Sequence, residues 1–360
     1  MAKKYIFRPC NEEALRWHPE LGAGVRKDDY FEYVWFDGPM NGDDGKEYYI
    51  RISPFSSVVK GSHGAVEGGH PGIGFDLMLP DGKVIDEFYV YDEGDFVDEG
   101  FGCIMGGDQR MYGNVVDGKL VDYGFDVHWK NIKAKLSATV VAGGVQFVED
   151  KHGYTAYDAV NNIATGWWPL AIRSDVTGTI EIDGKVINVT GVAYLDRQLG
   201  NMKSNFGTGA QAWWTWGHFW AGEYSGTFTD SAPSATYKYR HFSPFVLYKG
   251  KELILATNDF VGYIEQYALD NKSGKFYPKE QSQRAIDGNV TFYSQIQNGV
   301  LVEPETTSLE ETCRYVRQFA EIKTQLMRYG GFRDDAKGKI VIEYGAGYHY
   351  FPAEWIGKKN

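Results

Sequence analysis

Cysteine is scarce in this chain. Cys10, Cys103 and Cys313 are its only cysteines; isolated and odd in number, they exclude a disulfide framework and any thiol-based zinc spacing. That fits a reducing compartment or three structural thiols. There is no Lys/Arg run, and the formal net charge is −11, so the basic stripe that a nucleic-acid partner requires is absent. The acidic balance itself speaks to solubility and says little about substrate. No stretch approaches the ~18 consecutive apolar residues of a membrane span. The opening MAKKYIFRPCNEEALRWHPE also lacks the apolar segment of a secretory signal, which makes a cytoplasmic location the expectation. Also missing are GxGxxG, GxxxxGK[ST], HExxH and GxSxG, and with them the usual dinucleotide, P-loop, zincin and nucleophile-elbow chemistries.

Aromatic residues and glycine are plentiful. Phe, Trp and Tyr make up 16% of the 360 residues, with 25 Tyr and 10 Trp, and there are 44 Gly. Much of the glycine sits in Asp81-Gly82, Asp117-Gly118, Asp183-Gly184 and Asn298-Gly299, and such dipeptides between alternating runs signal β-hairpins. The expected fold is therefore mainly β. Its length suits two domains, taken as residues 1–200 and 201–360, each a closed or nearly closed antiparallel barrel built from hairpins. Residues 1–30 read as a helical or irregular lead-in. One long helix is expected over Thr307–Tyr329, where Leu309, Cys313, Val316, Phe319, Ala320 and Leu326 fall near helical spacing. Ser308 with Glu311 resembles a capping box there, and Gly330-Gly331 a stop. His63 and His70 lie in a Gly-rich loop without acidic or thiol partners at ligand spacing. The acids of residues 92–109 lack the calcium-loop pattern, so no metal site is expected.

The residues with the clearest chemical character lie between Gly191 and Trp220. Strand alternation puts Val192, Tyr194 and Asp196 on one face, and Ala193, Leu195 and Arg197 on the other. In the following run Trp214, Trp216, His218 and Trp220 line up opposite Trp213, Thr215 and Phe219. A carboxylate, a tyrosine and a histidine among indoles make an apolar pocket with few proton carriers. The same pattern also fits a barrel core with a polar rim. Asp196 then forms a structural ion pair with Arg110, Arg173 or Arg197, and His218 bonds a backbone carbonyl.

Gly191-Val-Ala-Tyr-Leu-Asp196-Arg-Gln-Leu-Gly200, Trp214-Thr-Trp-Gly-His218 and the preceding Gly178–Gly184 hairpin resemble the carotenoid 1,2-hydratase (hydroxyneurosporene synthase) and AttH-like lipocalin superfamily. Kievitone hydratases and lipocalin-like Diels–Alderases belong to the same group. The specific match spans about residues 175–220. Arg197 stands where carotenoid hydratases carry a histidine after the aspartate, which places this chain nearer the AttH-like branch. The resemblance implies two lipocalin-like domains and a hydratase, dehydratase or isomerase, that is, a lyase or isomerase acting on a hydrophobic isoprenoid or prenylated phenolic substrate without organic cofactor or metal. Asp196 is then the acid, with Tyr194 its hydrogen-bond partner and His218 the base. Trp214, Trp216 and Trp220 line the substrate and stabilise a tertiary cation at ~0.5–2 kcal/mol each, and Arg197 is a candidate substrate contact. The alternatives are a pericyclase that works by folding a polyene and a carrier of a lipophilic ligand. Oligomeric state has no signature in the sequence.

Overall fold

The computed structural model describes residues 6–18, 28–60, 65–148, 156–158, 163–201, 211–233, 242–269, 276–302 and 313–347. The chain divides into two compact units, one of Ile6–Met202 and one from Lys203 onward. Each unit holds its own antiparallel sheet, curled into a half-barrel. Among the described residues there is no α-helix, and no helix long and apolar enough to cross a membrane.

The larger sheet has 12 strands and lies in the first unit. From edge to edge it runs Val84–Val90, Gly72–Met78, Glu47–Ser57, Tyr30–Gly42, Lys185–Asn201, Ile163–Ile182, Ile132–Gly143, Lys119–Trp129, Gln109–Val116, Gly102–Met105 and Phe96–Glu99, with Ala156–Asp158 added on Ile163–Ile182. Sequence alternation gives each strand two faces. In Ile132–Gly143, Ile132, Ala134, Leu136 and Ala138 are buried while Lys133, Lys135 and Ser137 are exposed. The buried faces meet inside the curl, where Phe75 stacks on Trp129 with centroids 3.8 Å apart. At the surface Lys130 pairs with Glu87 of the far edge strand. A separate ribbon joins Ile6–Pro9 to Val145–Val148. The chain then makes a short 3-10 turn, Glu12–Leu15, capped by Asn11.

The smaller sheet has 9 strands, in the order Glu252–Thr257, Phe245–Lys249, Tyr224–Pro233, Gln211–Ala221, Phe332–Gly347, Cys313–Arg328, Val290–Leu301, Phe276–Asp287 and Phe260–Leu269. The expected hairpins at Asp117-Gly118 and Asp183-Gly184 are present, with φ of 51° and 71° in the first and 52° and 80° in the second. Two positive φ values in succession are what a two-residue turn matched to strand twist requires.

Three expectations fail. Residues 1–30 are not wholly a helical or irregular lead-in, since Ile6–Pro9 is a strand paired with Val145–Val148. The segment expected to be a helix is the strand Cys313–Arg328, paired with Phe332–Gly347 along its length and with Val290–Leu301 from Gln318 onward; residues 307–312 lie outside the described residues. Its buried side chains, Ala320, Ile322, Thr324 and Leu326, recur every second residue, and Glu321 and Lys323 between them are exposed. Helical spacing picked up Phe319, Ala320 and Leu326 but passed over Ile322 and Thr324, which the period of two collects. Gly330 and Gly331, at φ 99° and 96°, turn a hairpin instead of closing a helix. Asn298-Gly299 is not a hairpin turn. It is a bulge inside Val290–Leu301, where the register shifts between Gln297 and Val300 with Asn298 at φ 58°.

Candidate active site

The strand Lys185–Asn201 is central in the larger sheet, between Ile163–Ile182 and Tyr30–Gly42. Ala193, Leu195 and Leu199 enter the apolar core. Tyr194 and Asp196 take the opposite face, as the alternation requires. The Tyr194 hydroxyl donates to Asp196 Oδ2 at 3.0 Å, and the Trp167 indole Nε1 donates to the same oxygen at 2.8 Å. Asp196 is 3% exposed; a carboxyl group so far from water is held by its donors. Across the ladder Tyr194 faces Asp37 and Asp196 faces Trp35. Asp37, with no exposure, accepts from Tyr49 at 2.6 Å. Next in register stands Arg51, bidentate on Asp76 at 2.6 Å for both bonds and 4.9 Å from the Trp35 ring. Tyr194, Asp37, Arg51 and Asp76 thus form one cross-strand row on the face that carries Asp196.

Arg197 faces the other way. Its guanidinium donates to the Arg16 carbonyl, lies 3.5 Å from the Phe101 carbonyl and 3.7 Å from Glu32 Oε1, and sits 4.3 Å from the Trp17 ring. Glu32 in turn binds His18 Nδ1 at 2.8 Å and the His18 amide at 2.9 Å. Burial lowers the Arg197 pKa and Glu32 pulls it back up. This cluster ties the segment around the 3-10 turn into the inner side of the sheet. Arg110 bridges to Glu99 and Arg173 to Asp175. Burial pushes the thiols of Cys10 and Cys103 well up.

Trp214, Trp216, His218 and Trp220 belong to the other unit, on Gln211–Ala221. Phe219 and Ala221 point into that sheet's core, so the even-numbered side chains take its opposite face. All four are buried. The His218 ring lies 4.9 Å from that of Trp216 and 5.0 Å from that of Trp220, edge-on to both. Trp214 lies flat over Gly345, where a Cβ would come within 2.1 Å of the indole.

No family model matches the chain, and no curated protein matches its sequence. Solved structures do match. An AttH-like protein from Nitrosomonas europaea aligns over 93% of this chain and 97% of its own, at TM-score 0.59 and 16% identity. Kievitone hydratase from Nectria haematococca aligns over 94% and 96%, at TM-score 0.56 and 10% identity. CghA aligns over 95% and 98%, at TM-score 0.59 and 10% identity, and has also been solved with Sch210972. The chain has the AttH-like fold.

Within this AttH-like fold the sequence motif contributes Tyr194 and Asp196 as a hydrogen-bonded pair and His218 as a histidine bracketed by indoles. It missed Trp167, Trp35, Asp37, Tyr49 and Arg51. Tyr33, Trp35 and Asp37 alternate within Phe31-Glu-Tyr-Val-Trp-Phe-Asp37, so the same period of two puts them on one face; what the sequence hides is that this strand pairs with Lys185–Asn201, some 160 residues away. His70 bonds the Tyr91 carbonyl at 2.9 Å, and His63 lies outside the described residues. Among the described residues no three or more of His, Cys, Asp and Glu gather as metal ligands would.

Proposed function

We propose that this protein is an acid–base enzyme that hydrates, dehydrates or isomerises a hydrophobic isoprenoid or prenylated phenolic molecule, with Asp196 as the proton donor. The observation that carries the reading is the buried Asp196 carboxyl with Tyr194 and Trp167 both donating to Oδ2. Protonating an alkene needs an acid kept from water, because bulk water would level its strength. Transfer leaves a carboxylate and a tertiary carbocation. The two donors stabilise the carboxylate as its charge develops, which is where fixed hydrogen bonds lower a barrier most. Indole faces such as those of Trp214, Trp216 and Trp220 suit the cation. His218 is the proposed base that takes the proton from the adding water. Reversed, the same groups dehydrate a tertiary alcohol, and loss of a different proton from the cation moves the double bond.

A second reading rests on the aromatic face itself. Rings fixed edge-on at 4.9 and 5.0 Å suit the folding of a polyene into a reactive conformer, a pericyclase that needs no acid.

Turnover in heavy-oxygen water separates the two. Wild type, Asp196→Asn and His218→Gln are incubated with prenylated phenols, flavonoids and terpene alcohols, and products are followed by mass. Acid catalysis puts label into a tertiary alcohol, and Asp196→Asn loses at least about a hundredfold in rate, the usual worth of a positioned proton donor. Isomers of unchanged mass formed equally by wild type and Asp196→Asn exclude Asp196 from the chemistry and favour the pericyclase. Stoichiometric binding without product in any of the three would make the protein a carrier.

A further inference from the structure

The face of the larger sheet that turns away from its apolar core carries a row of aromatic rings beside Asp196. Val34, Phe36, Ile50, Ile52, Ile73 and Phe75 enter the core. Strand alternation therefore sends Tyr33, Trp35, Phe55 and the glycines Gly72 and Gly74 to the opposite face. Register places Trp35 directly across from Asp196, Tyr33 across from Phe55, Phe55 across from Gly72, and Gly74 across from Phe88. The rings follow one another without a gap. Centroids are 6.5 Å apart for Trp35 and Tyr33, 4.8 Å for Tyr33 and Phe55, and 5.2 Å for Phe55 and Phe88. From the strand of Trp35 to that of Phe88 are three strand spacings, about 14 Å.

Two features set these rings apart from core. Tyr33, Trp35, Phe55 and Phe88 each keep part of their surface accessible, whereas Phe36 and Phe75 on the core side keep none. A contiguous run of partly exposed rings is the mark of a surface that receives an apolar ligand. The rings are also held in place. A Cβ on Gly72 would come within 2.8 Å of Phe88 Cε1, and one on Gly74 within 2.7 Å of Arg51 Nη1. The two glycines thus let the Phe88 ring and the Arg51 guanidinium settle close against the strand. Arg51, clamped by Asp76, lies 4.9 Å from the Trp35 ring. Tyr33 is fixed by donating its hydroxyl to Gln198. Rings that are exposed yet fixed suit stacking, because little side-chain freedom is lost when a ligand arrives.

We propose that Tyr33, Trp35, Phe55 and Phe88 form the bed on which a planar, conjugated ring system of the substrate lies, with the reacting alkene at Asp196. The orientation of the ligand rests on Asp196 being the acid; the bed itself does not. A planar conjugated body is favoured over a flexible aliphatic chain for two reasons. Ring-on-ring contacts add to what buried area alone supplies. A fused ring has few rotors to freeze on binding, and an acyclic chain has many. A bed of about 14 Å across the strands suits two or three fused or linked rings. It selects an alkene borne on rings over an acyclic isoprenoid.

Two alcohols of equal carbon count test the bed without any chemistry: 2-naphthol, which is planar and aromatic, and decahydro-2-naphthol, which is neither. Calorimetric titration of the full chain should give saturable one-to-one binding of 2-naphthol, at least about tenfold tighter than its saturated counterpart. Phe55→Leu and Phe88→Leu should each weaken 2-naphthol about two- to tenfold, the worth of one ring contact, and weaken the saturated alcohol less. Equal affinity for the two alcohols overturns the bed. So does an absence of saturable 2-naphthol binding, which would leave the rings as a seat for the chain's own segments. Unchanged 2-naphthol affinity in both variants overturns it as well. Should a Leu variant fail to fold, the wild-type ratio of the two alcohols decides alone. Neither probe carries an alkene, so the outcome is separate from that of the acid. Equal turnover of 6-prenyl-2-naphthol by wild type and Asp196→Asn removes the acid and leaves the bed. Turnover lost in Asp196→Asn, without any preference for 2-naphthol in the titration, removes the bed and leaves the acid.

Discussion

Trp167 and Tyr194 both donate to a single oxygen of Asp196, so neither bond is independent of the other. Trp167→Phe keeps an aromatic ring against Phe147, whose centroid is 4.9 Å away, and deletes one N–H. Tyr194→Phe deletes one O–H with little change of shape. Hydrogen bonds to a neutral carboxyl are worth about 0.5–1.5 kcal/mol, and each variant should lose that much in urea unfolding. The double variant should fall short of or exceed the sum by at least about 0.5 kcal/mol, as groups sharing one partner do; strict additivity would mean that the two donors do not act on one oxygen. At this scale the sequence was informative where two residues lie two apart on one strand, as Tyr194 and Asp196 do. The alternation also turned Arg197 away from Asp196, and its guanidinium is bonded to Arg16, Phe101 and Glu32 on the inner side. Trp167 and Asp37 were out of reach, because their place beside Asp196 depends on pairings between distant segments.

Hairpins were the most legible elements, because their turns have a local chemistry: Asp-Gly at two successive positive φ angles needs no tertiary context. The strand Cys313–Arg328 was misread because a few apolar residues satisfy periods of two and of 3.6 alike, and only the flanking ladders decide. Packing between elements also creates groups that titrate. At one end of the smaller sheet, Lys249 donates to Asp334 at 2.8 Å and Tyr224 donates to the same carboxylate at 2.6 Å. Lys249 foremost, then Tyr224, hold the Asp334 carboxyl below its ordinary 3.8, and Asp334 in turn raises Lys249 above its ordinary 10.5. A depressed carboxyl adds stability above its unfolded value and loses it as pH falls through the folded one. A raised ammonium adds stability below its unfolded value and loses it as pH rises through the folded one. The cluster should therefore stabilise between these limits and fade outside them. The groups are partly exposed, so Asp334→Asn should lower the melting temperature at pH 7 by only about 1–3 °C. That gap should narrow as pH falls through the lowered carboxyl value and shrink in 1 M salt; a gap that changes with neither would assign the effect to packing.

Each unit carries its own sheet and its own apolar cluster, and the clusters differ in kind. The larger sheet is filled mainly by hydrophobic side chains, among them Leu195 on the strand that bears Asp196, with the buried Arg197, Glu32 and His18 cluster on its inner side. The smaller sheet mixes phenylalanines with buried glutamines, serines and an aspartate. Division into two β units could be anticipated from chain length and hairpin rhythm, but the contrast between the two interiors could not, because alternation says which residues turn inward and not how well their polar atoms are met. A sheet with its own core is the natural unit of cooperative unfolding. Leu195→Ala should remove about 2–5 kcal/mol from the larger unit, and Ile340→Ala a similar amount from the smaller, since both side chains are fully buried and leave cavities. By scanning calorimetry the two variants should shift different parts of the heat-absorption curve, Leu195→Ala moving the component with the larger enthalpy, because enthalpy scales with the number of residues that unfold. If both variants displace a single peak by the same amount, the two sheets unfold as one cooperative body, and a ligand held on the larger sheet would then stabilise the smaller one as well.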